Sequence, residues 1–296
     1  MIRSPRTPAR LRALLSRIPR VKRFGEDNGL TPTGNYQDYV QLHRPAAVYV
    51  VSACEPLRFQ PKTWRFPVAG DFPYLGWFDL RSAQDYARDL RDDGWDVELR
   101  GAGAYSTLGW FDDPVLSTMI APGAAALGDL VNVVLHESVH ATLHLDGQAP
   151  FNESLASFVA DRLTERYLEE AALPFQRRAF REQQERTLRV EQELHQAFQE
   201  LEGLYRSPAS AAEKRARKEA FLAGLRERLR WRGSLNNATL MGHRTYTSGG
   251  KGFAQLFASC GGGFRCFFDR LRRLRPASFA RPQQEDLDAL LTRLAG

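Results

Sequence analysis

The stretch "LVNVVLHESVHATLHL", residues 130–145, decides how the chain is read. Its apolar residues recur at helical spacing, and set among them are His136, Glu137 and His140 in an H-E-x-x-H pattern. On a helix, positions i and i+4 share one face about 6 Å apart, close enough for two imidazoles to bind one zinc ion. Glu137 then lies beside the metal, where a carboxylate can take a proton from water. Val133, Val134, Leu135, Val139 and Leu143 surround these groups. Two histidines and a glutamate in so apolar a helix are costly to bury without a partner.

A catalytic zinc usually keeps three protein ligands and one open position. Glu153 lies thirteen residues after His140, across the turn "LDGQAP" (145–150), and opens the next helical run, "ESLASFVADRLTERYLEEA" (153–171). Two helices joined by that turn run antiparallel and return Glu153 to the histidine face, with Asn152 placed to cap the second helix. The competing explanation for Glu153 is a first-turn glutamate favoured by the helix dipole. His144 competes for the third position, but it is eight residues beyond His136 and rotated from it by about 80° on an ideal helix. His43 falls in a Pro-flanked loop and His195 in a charged helical run, where neither has ligand company.

Upstream, "AAVYVVSA" (46–53) reads as a buried strand, and "WRFPVA" (64–69) as an edge or irregular strand because Pro67 cannot donate to a ladder. Asp79 to Asp92 is helical in pattern and ends at Asp93-Gly94. "WDVELRGAGAYSTLGW" (95–110) reads as a strand with a bulge or a close backbone approach at Gly101 and Gly103. Within it, 102–107 offers backbone groups to an extended peptide. Residues 111–123 read as a loop. Downstream, the pattern predicts a helix over 124–145, a helical hairpin over 175–232 broken at Ser207-Pro208, and two helices in 253–294 split by the Gly-rich turn at 261–263. A small strand-containing part followed by helices is an α+β arrangement. The expected organisation is a disordered basic arm over 1–24, a strand-containing part over 25–123 and a helical part with the metal site over 124–296. The last two are expected to form one compact domain.

Composition narrows the function classes. With 296 residues, 43% apolar and 26% charged, the chain is globular rather than disordered or collagen-like. No uncharged apolar window of transmembrane length exists. Three cysteines, Cys54, Cys260 and Cys266, do not make a disulfide framework, and their spacing matches no zinc knuckle. The net charge of +6 is local: residues 1–24 hold eight Arg and Lys and no acid, which leaves 33 basic against 35 acidic residues in the body. No nucleic acid is expected as a partner, because phosphate binding needs a clustered basic face on the fold. The arm lacks the apolar h-region of a secretory signal.

Several blocks together resemble a known family. "AYSTLGWFDDPVLSTM" (104–119), "LHESVH" (135–140), "FNESLASFV" (151–159) and "NNATLMGHRTY" (236–246) are similar to the bacterial predicted-aminopeptidase family of zincin-like proteins. So are "VVSACEPLRF" (50–59) and "WRFPVAGDFPYLGWFD" (64–79), and the resemblance runs over about 36–275. A glutamate in an Asn-Glu pair on a second helix also resembles the gluzincin pattern. The resemblance implies a zincin-like domain that binds one Zn²⁺ through His136, His140 and Glu153 and uses Glu137 as the catalytic base on a peptide or protein substrate. It differs within the motif, where Ser138-Val139 replaces a usual Leu-Ala, and it lacks the lipoprotein-type leader of the family. The location therefore stays open between cell envelope and cytoplasm. Peptide hydrolysis needs a donor for the developing oxyanion; Tyr246 is the first candidate and Tyr105 the second. Asn236 and Asn237 read as helix caps. Glu55, Asp71 and Asp79 are acidic groups that could meet a substrate ammonium, with nothing to choose among them. The alternatives are a non-catalytic zinc-binding helical scaffold using the 175–232 hairpin, and a basic-tailed surface binder. Oligomeric state is not legible.

Overall fold

Long runs of 3.6-residue periodicity fill the second half of the chain and fold as helices, while short β-branched runs in the first half pair as strands. The computed structural model describes residues 7–66, 70–104, 112–247, 249–284 and 286–295. In chain order these form α1 (Ala9–Leu15), α2 (Ile18–Asp27), β1 (Tyr39–Val40), β2 (Val48–Cys54), β3 (Trp64–Phe66), β4 (Gly70–Phe72), β5 (Tyr74–Trp77), α3 (Leu80–Asp92), β6 (Asp96–Ala102) and β7 (Val115–Leu116). There follow α4 (Ala126–Thr142), α5 (Ala149–Glu170), α6 (Pro174–Arg206), α7 (Ala211–Leu229), α8 (Asn237–Thr247), α9 (Gly250–Ser259), α10 (Phe264–Leu271) and α11 (Asp288–Ala295). The fold is mixed α+β, mostly helical, with small sheets. No helix among the described residues is long and apolar enough to cross a membrane.

The contacts group the chain into two compact units: Met1–Pro45, Gly103–Gln184 and Tyr246–Gly296 form one, Ala46–Ala102 and Glu185–Thr245 the other. In the first unit α4 packs along α5. Leu130, Val134, Leu135 and Val139 of α4 and Leu155, Val159, Leu163 and Leu168 of α5 are all buried, each contributing about 1.5–3 kcal/mol of hydrophobic stabilisation. Helix α2 packs on both, with the Phe24 ring edge-on to Tyr167 at 5.4 Å. A Cβ on Gly25 would stand 3.0 Å from Leu30 and 3.1 Å from Leu135, so glycine lets α2 approach that closely.

Two expectations are corrected in this unit. The described part of the basic arm is helical, because Leu14, Leu15, Ile18 and Val21 form a buried stripe while the arginines take the outer face. Residues 111–123 are not wholly loop: β7 pairs in parallel with β1, Tyr39 opposite Val115, and a 3-10 turn follows at Ser117–Met119. The cysteines make no framework but one disulfide, Cys260–Cys266, across the turn between α9 and α10, where Gly261 and Gly262 take positive φ and the two Cα atoms lie 5.6 Å apart; Cys54 is free.

In the second unit β2 lies between β5 and β6, antiparallel to both, with Val51 opposite Leu75 and Leu99. Alternation puts Tyr49, Val51 and Ala53 in one buried cluster with Ala83, Ala87 and Leu90 of α3. Asp79 caps α3, accepting from Ser82 N at 2.7 Å. The ladder runs unbroken through Gly101, so glycine there serves close approach rather than a bulge: a Cβ would lie 2.8 Å from that of Ala46. The hairpin of α6 and α7 forms as the spacing predicts, around Leu194, Leu201, Leu222 and Leu225. The Lys218 ammonium is buried against Asp96 and donates to Pro56 O at 2.9 Å.

Candidate metal centre

Helix α4 carries His136, Glu137 and His140, and it ends earlier than the sequence suggests. Its last residue is Thr142, and Leu143 is extended. Beyond that end the chain meets Asn152. Rather than capping α5, the Asn152 amide sits inside its first turn and clips the preceding loop, accepting from Leu145 N and donating to Leu145 O, both at 2.9 Å. Gln148 braces the same loop by donating to Arg281 O at 3.0 Å and accepting from Gln284 N at 3.1 Å. Pinned in this way, α5 presents Glu153, just past its first turn, to the histidines.

The three side chains converge. His136 Nε2 and His140 Nε2 lie 3.2 Å apart. Glu153 Oε2 is 3.5 Å from His136 Nε2, and Oε1 is 3.7 Å from His140 Nε2. One ligand atom from each lies within 4.8 Å of the other two, so the group could hold a metal ion. A tetrahedral ion with bonds of about 2.0–2.1 Å separates its ligand atoms by about 3.3 Å, close to these spacings.

The electrostatics are those of a buried site. Burial disfavours the His136 imidazolium, but the hydrogen bond to Glu153 and the charges of Glu137, Glu153 and Asp161 outweigh it and raise its pKa. For His140 burial and the neighbouring His136 prevail, pushing the pKa down to about 4 and leaving a neutral imidazole with a lone pair to give. Its Nδ1 is buried with no hydrogen-bond partner among the described residues. Burial also raises the Asp161 pKa, opposed by Asn132, which donates to Oδ1 at 2.9 Å from one turn before His136.

His144 stays outside the group: its ring is 6.5 Å from that of His140, and its Nε2 is 3.8 Å from Asp146. Because α4 stops at Thr142, His144 no longer follows the helical rotation. His195 is exposed on α6 beside Gln199, and Asn236 caps α8, accepting from Thr239 N at 3.2 Å. Tyr105 lies outside the described residues, as does the side chain of Tyr246, whose backbone belongs to α8.

Sequence reasoning missed Tyr36. It is 5% exposed, adopts φ +66°, and its hydroxyl has no partner among the described residues. Burial, then the charges of Glu137 and Asp113, push its pKa well up. Its loop is held at one end by Thr31 N, which donates to Thr142 Oγ1 of α4 at 2.9 Å, and at the other by the pairing of β1 with β7.

A family model described as "Putative aminopeptidase" matches residues 1–286. No curated protein and no solved structure matches the chain.

Proposed function

The chain belongs to the putative aminopeptidase family, and on that footing we propose that it is a zinc-dependent metallopeptidase of zincin-like fold, acting as an aminopeptidase on peptide or protein substrates. The observation that carries the reading is the spacing of the His136, His140 and Glu153 ligand atoms. Two imidazoles and one carboxylate are a donor set suited to catalytic zinc, with a fourth position left for substrate or water. When bound, zinc supplies Lewis-acid polarisation of the scissile carbonyl and of water.

The chain's own residues do the rest. His136, His140 and Glu153 hold the ion. Glu137 accepts a proton from the attacking water as the water oxygen bonds to the carbonyl carbon. It returns that proton to the amine nitrogen as the C–N bond breaks, ending as the carboxylate it began. Tyr246 and Tyr105 are the proposed oxyanion donors. Glu137→Gln keeps the helix and the ligands but removes the base. Its turnover on aminoacyl peptides should fall at least about 100-fold with zinc content unchanged, and retained turnover would refute the role. Glu153→Ala should lose zinc; full occupancy in that variant would return the third ligand position to His144 or elsewhere.

A further inference from the structure

We propose that the outer face of α1 and α2 docks on an anionic phospholipid bilayer, held there by Arg10, Arg12, Arg17, Arg20 and Arg23. The inference is independent of the peptidase reading. Three observations carry it. The first is placement. Ser16 and Arg17, between the two helices, keep right-handed helical dihedrals, so one periodicity runs through both. On an ideal helix the buried Leu14, Leu15, Ile18, Val21 and Gly25 fall within an arc of about 120°, and the five arginines within an arc of about 160° on the other side. The buried arc faces α4, where Gly25 meets Leu135. Arg10, Arg12, Arg20 and Arg23 are exposed and Arg17 is half-buried. The arginines are thus a fixed face of the fold rather than a loose tail.

The second is charge without counter-charge. Residues 1–24 contain no acid, and among the described residues no carboxylate pairs with any of the five arginines. Arg10 donates instead to Ala121 O at 3.3 Å and Gly123 O at 3.1 Å, and Arg12 to Thr7 O at 3.0 Å. The acids of the helices beneath are engaged elsewhere. Asp129 accepts from Gln183 at 2.7 Å and Asp161 from Asn132, while Glu165 and Glu169 hold Arg177 and Glu170 holds Arg166. Glu137 and Glu153 belong to the metal centre. Of the acids of α2 itself, Asp27 closes the arginine arc at its far end and Glu26 falls outside it. Like charges that repel one another on one face are relieved by a polyanion laid across them.

The third is what separates the arginines, and it selects the polyanion. Ala9, Ala13, Ser16 and Pro19 fill the gaps, all exposed and none bearing an amide side chain or an aromatic ring. Phe24, the one aromatic residue of the two helices, is turned against Tyr167. Nucleic-acid recognition calls for rings that stack on bases or amides that read their edges, set along a groove. A convex face of arginines with small side chains between them suits a plane of phosphates, which each guanidinium grips with two parallel hydrogen bonds.

The test is flotation of the full chain with vesicles of phosphatidylcholine containing about one third phosphatidylglycerol, beside vesicles of phosphatidylcholine alone. The expected result is binding to the anionic vesicles at about 0.1 M salt and none to the neutral ones. At about 1 M salt, where the screening length falls to about 3 Å, binding should be lost. Arg12→Gln, Arg20→Gln and Arg23→Gln combined should weaken binding on the order of 100-fold, about 5-fold for each arginine. Glutamine keeps the helix and these side chains are exposed, so the unfolding midpoint should stay at its wild-type value. If the triple variant unfolds early, Arg20→Gln and Arg23→Gln taken singly carry the same test. Absence of binding to the anionic vesicles, equal binding to the neutral ones, or unchanged affinity in the variants would overturn the proposal. So would tighter binding of a short single-stranded RNA than of the vesicles, which would give the face to nucleic acid.

Discussion

Asn152→Ala is the substitution in which fold and site meet. The Asn152 side chain is 3% exposed and pairs with both backbone groups of Leu145, itself 8% exposed. Alanine leaves a buried N–H and a buried C=O without partners, each at about 1–3 kcal/mol. Both groups belong to one residue, and a single water entering the space vacated by the amide can serve both in part. The low half of the range therefore applies, giving about 2–4 kcal/mol. For a body of this size each kcal/mol moves the unfolding midpoint by about 2–4 °C, so calorimetry of the metal-free protein should show a fall of about 5–15 °C. The same change frees the loop that leads into α5 and Glu153, so a zinc titration of the folded variant should show weaker binding. A midpoint within about 2 °C of wild type, with zinc affinity intact, would refute the claim that this amide holds both the loop after α4 and the position of the third ligand.

Two further predictions concern stability away from the site. Cys260→Ser opens a loop with a sequence separation of 6 and should cost about 2 kcal/mol; a reductant should lower the wild-type midpoint equally, and no change in either experiment would remove the disulfide from the account. Glu98, buried on β6, has its pKa raised by burial, with Arg100 opposing. Its folded-state pKa lies above the unfolded one, so the folded state holds the proton longer, and stability falls as pH rises from about 4 through that raised value. Glu98→Gln is neutral throughout and should flatten the decline in midpoint between pH 4 and 7; parallel profiles would contradict the assignment.

Much of the architecture could be read locally. The apolar periodicity of 130–145, the alternation in "AAVYVVSA" and the Ser-Pro break at 207–208 each state a preference that tertiary contacts reinforce, and α4, β2 and the α6–α7 hairpin follow. The i, i+4 histidines and the turn that brings Glu153 back were legible for the same reason. What escaped was information carried by packing. In the basic arm, arginines mask a four-residue apolar stripe until its burial is seen. Asn152 has the chemistry of a cap, and only the position of Leu145 shows that it clips a loop instead. The Cys260–Cys266 pair had one unread signal, three glycines between the cysteines, which lets the chain reverse within five residues.

The central claim is that His136, His140 and Glu153 share one zinc ion, and metal content of the purified protein tests it most directly, with wild type beside His140→Ala. The account predicts about one zinc per wild-type chain and loss of that zinc in the variant. A wild-type protein that takes up no zinc when zinc is supplied, or a His140→Ala protein that keeps it, would contradict the claim.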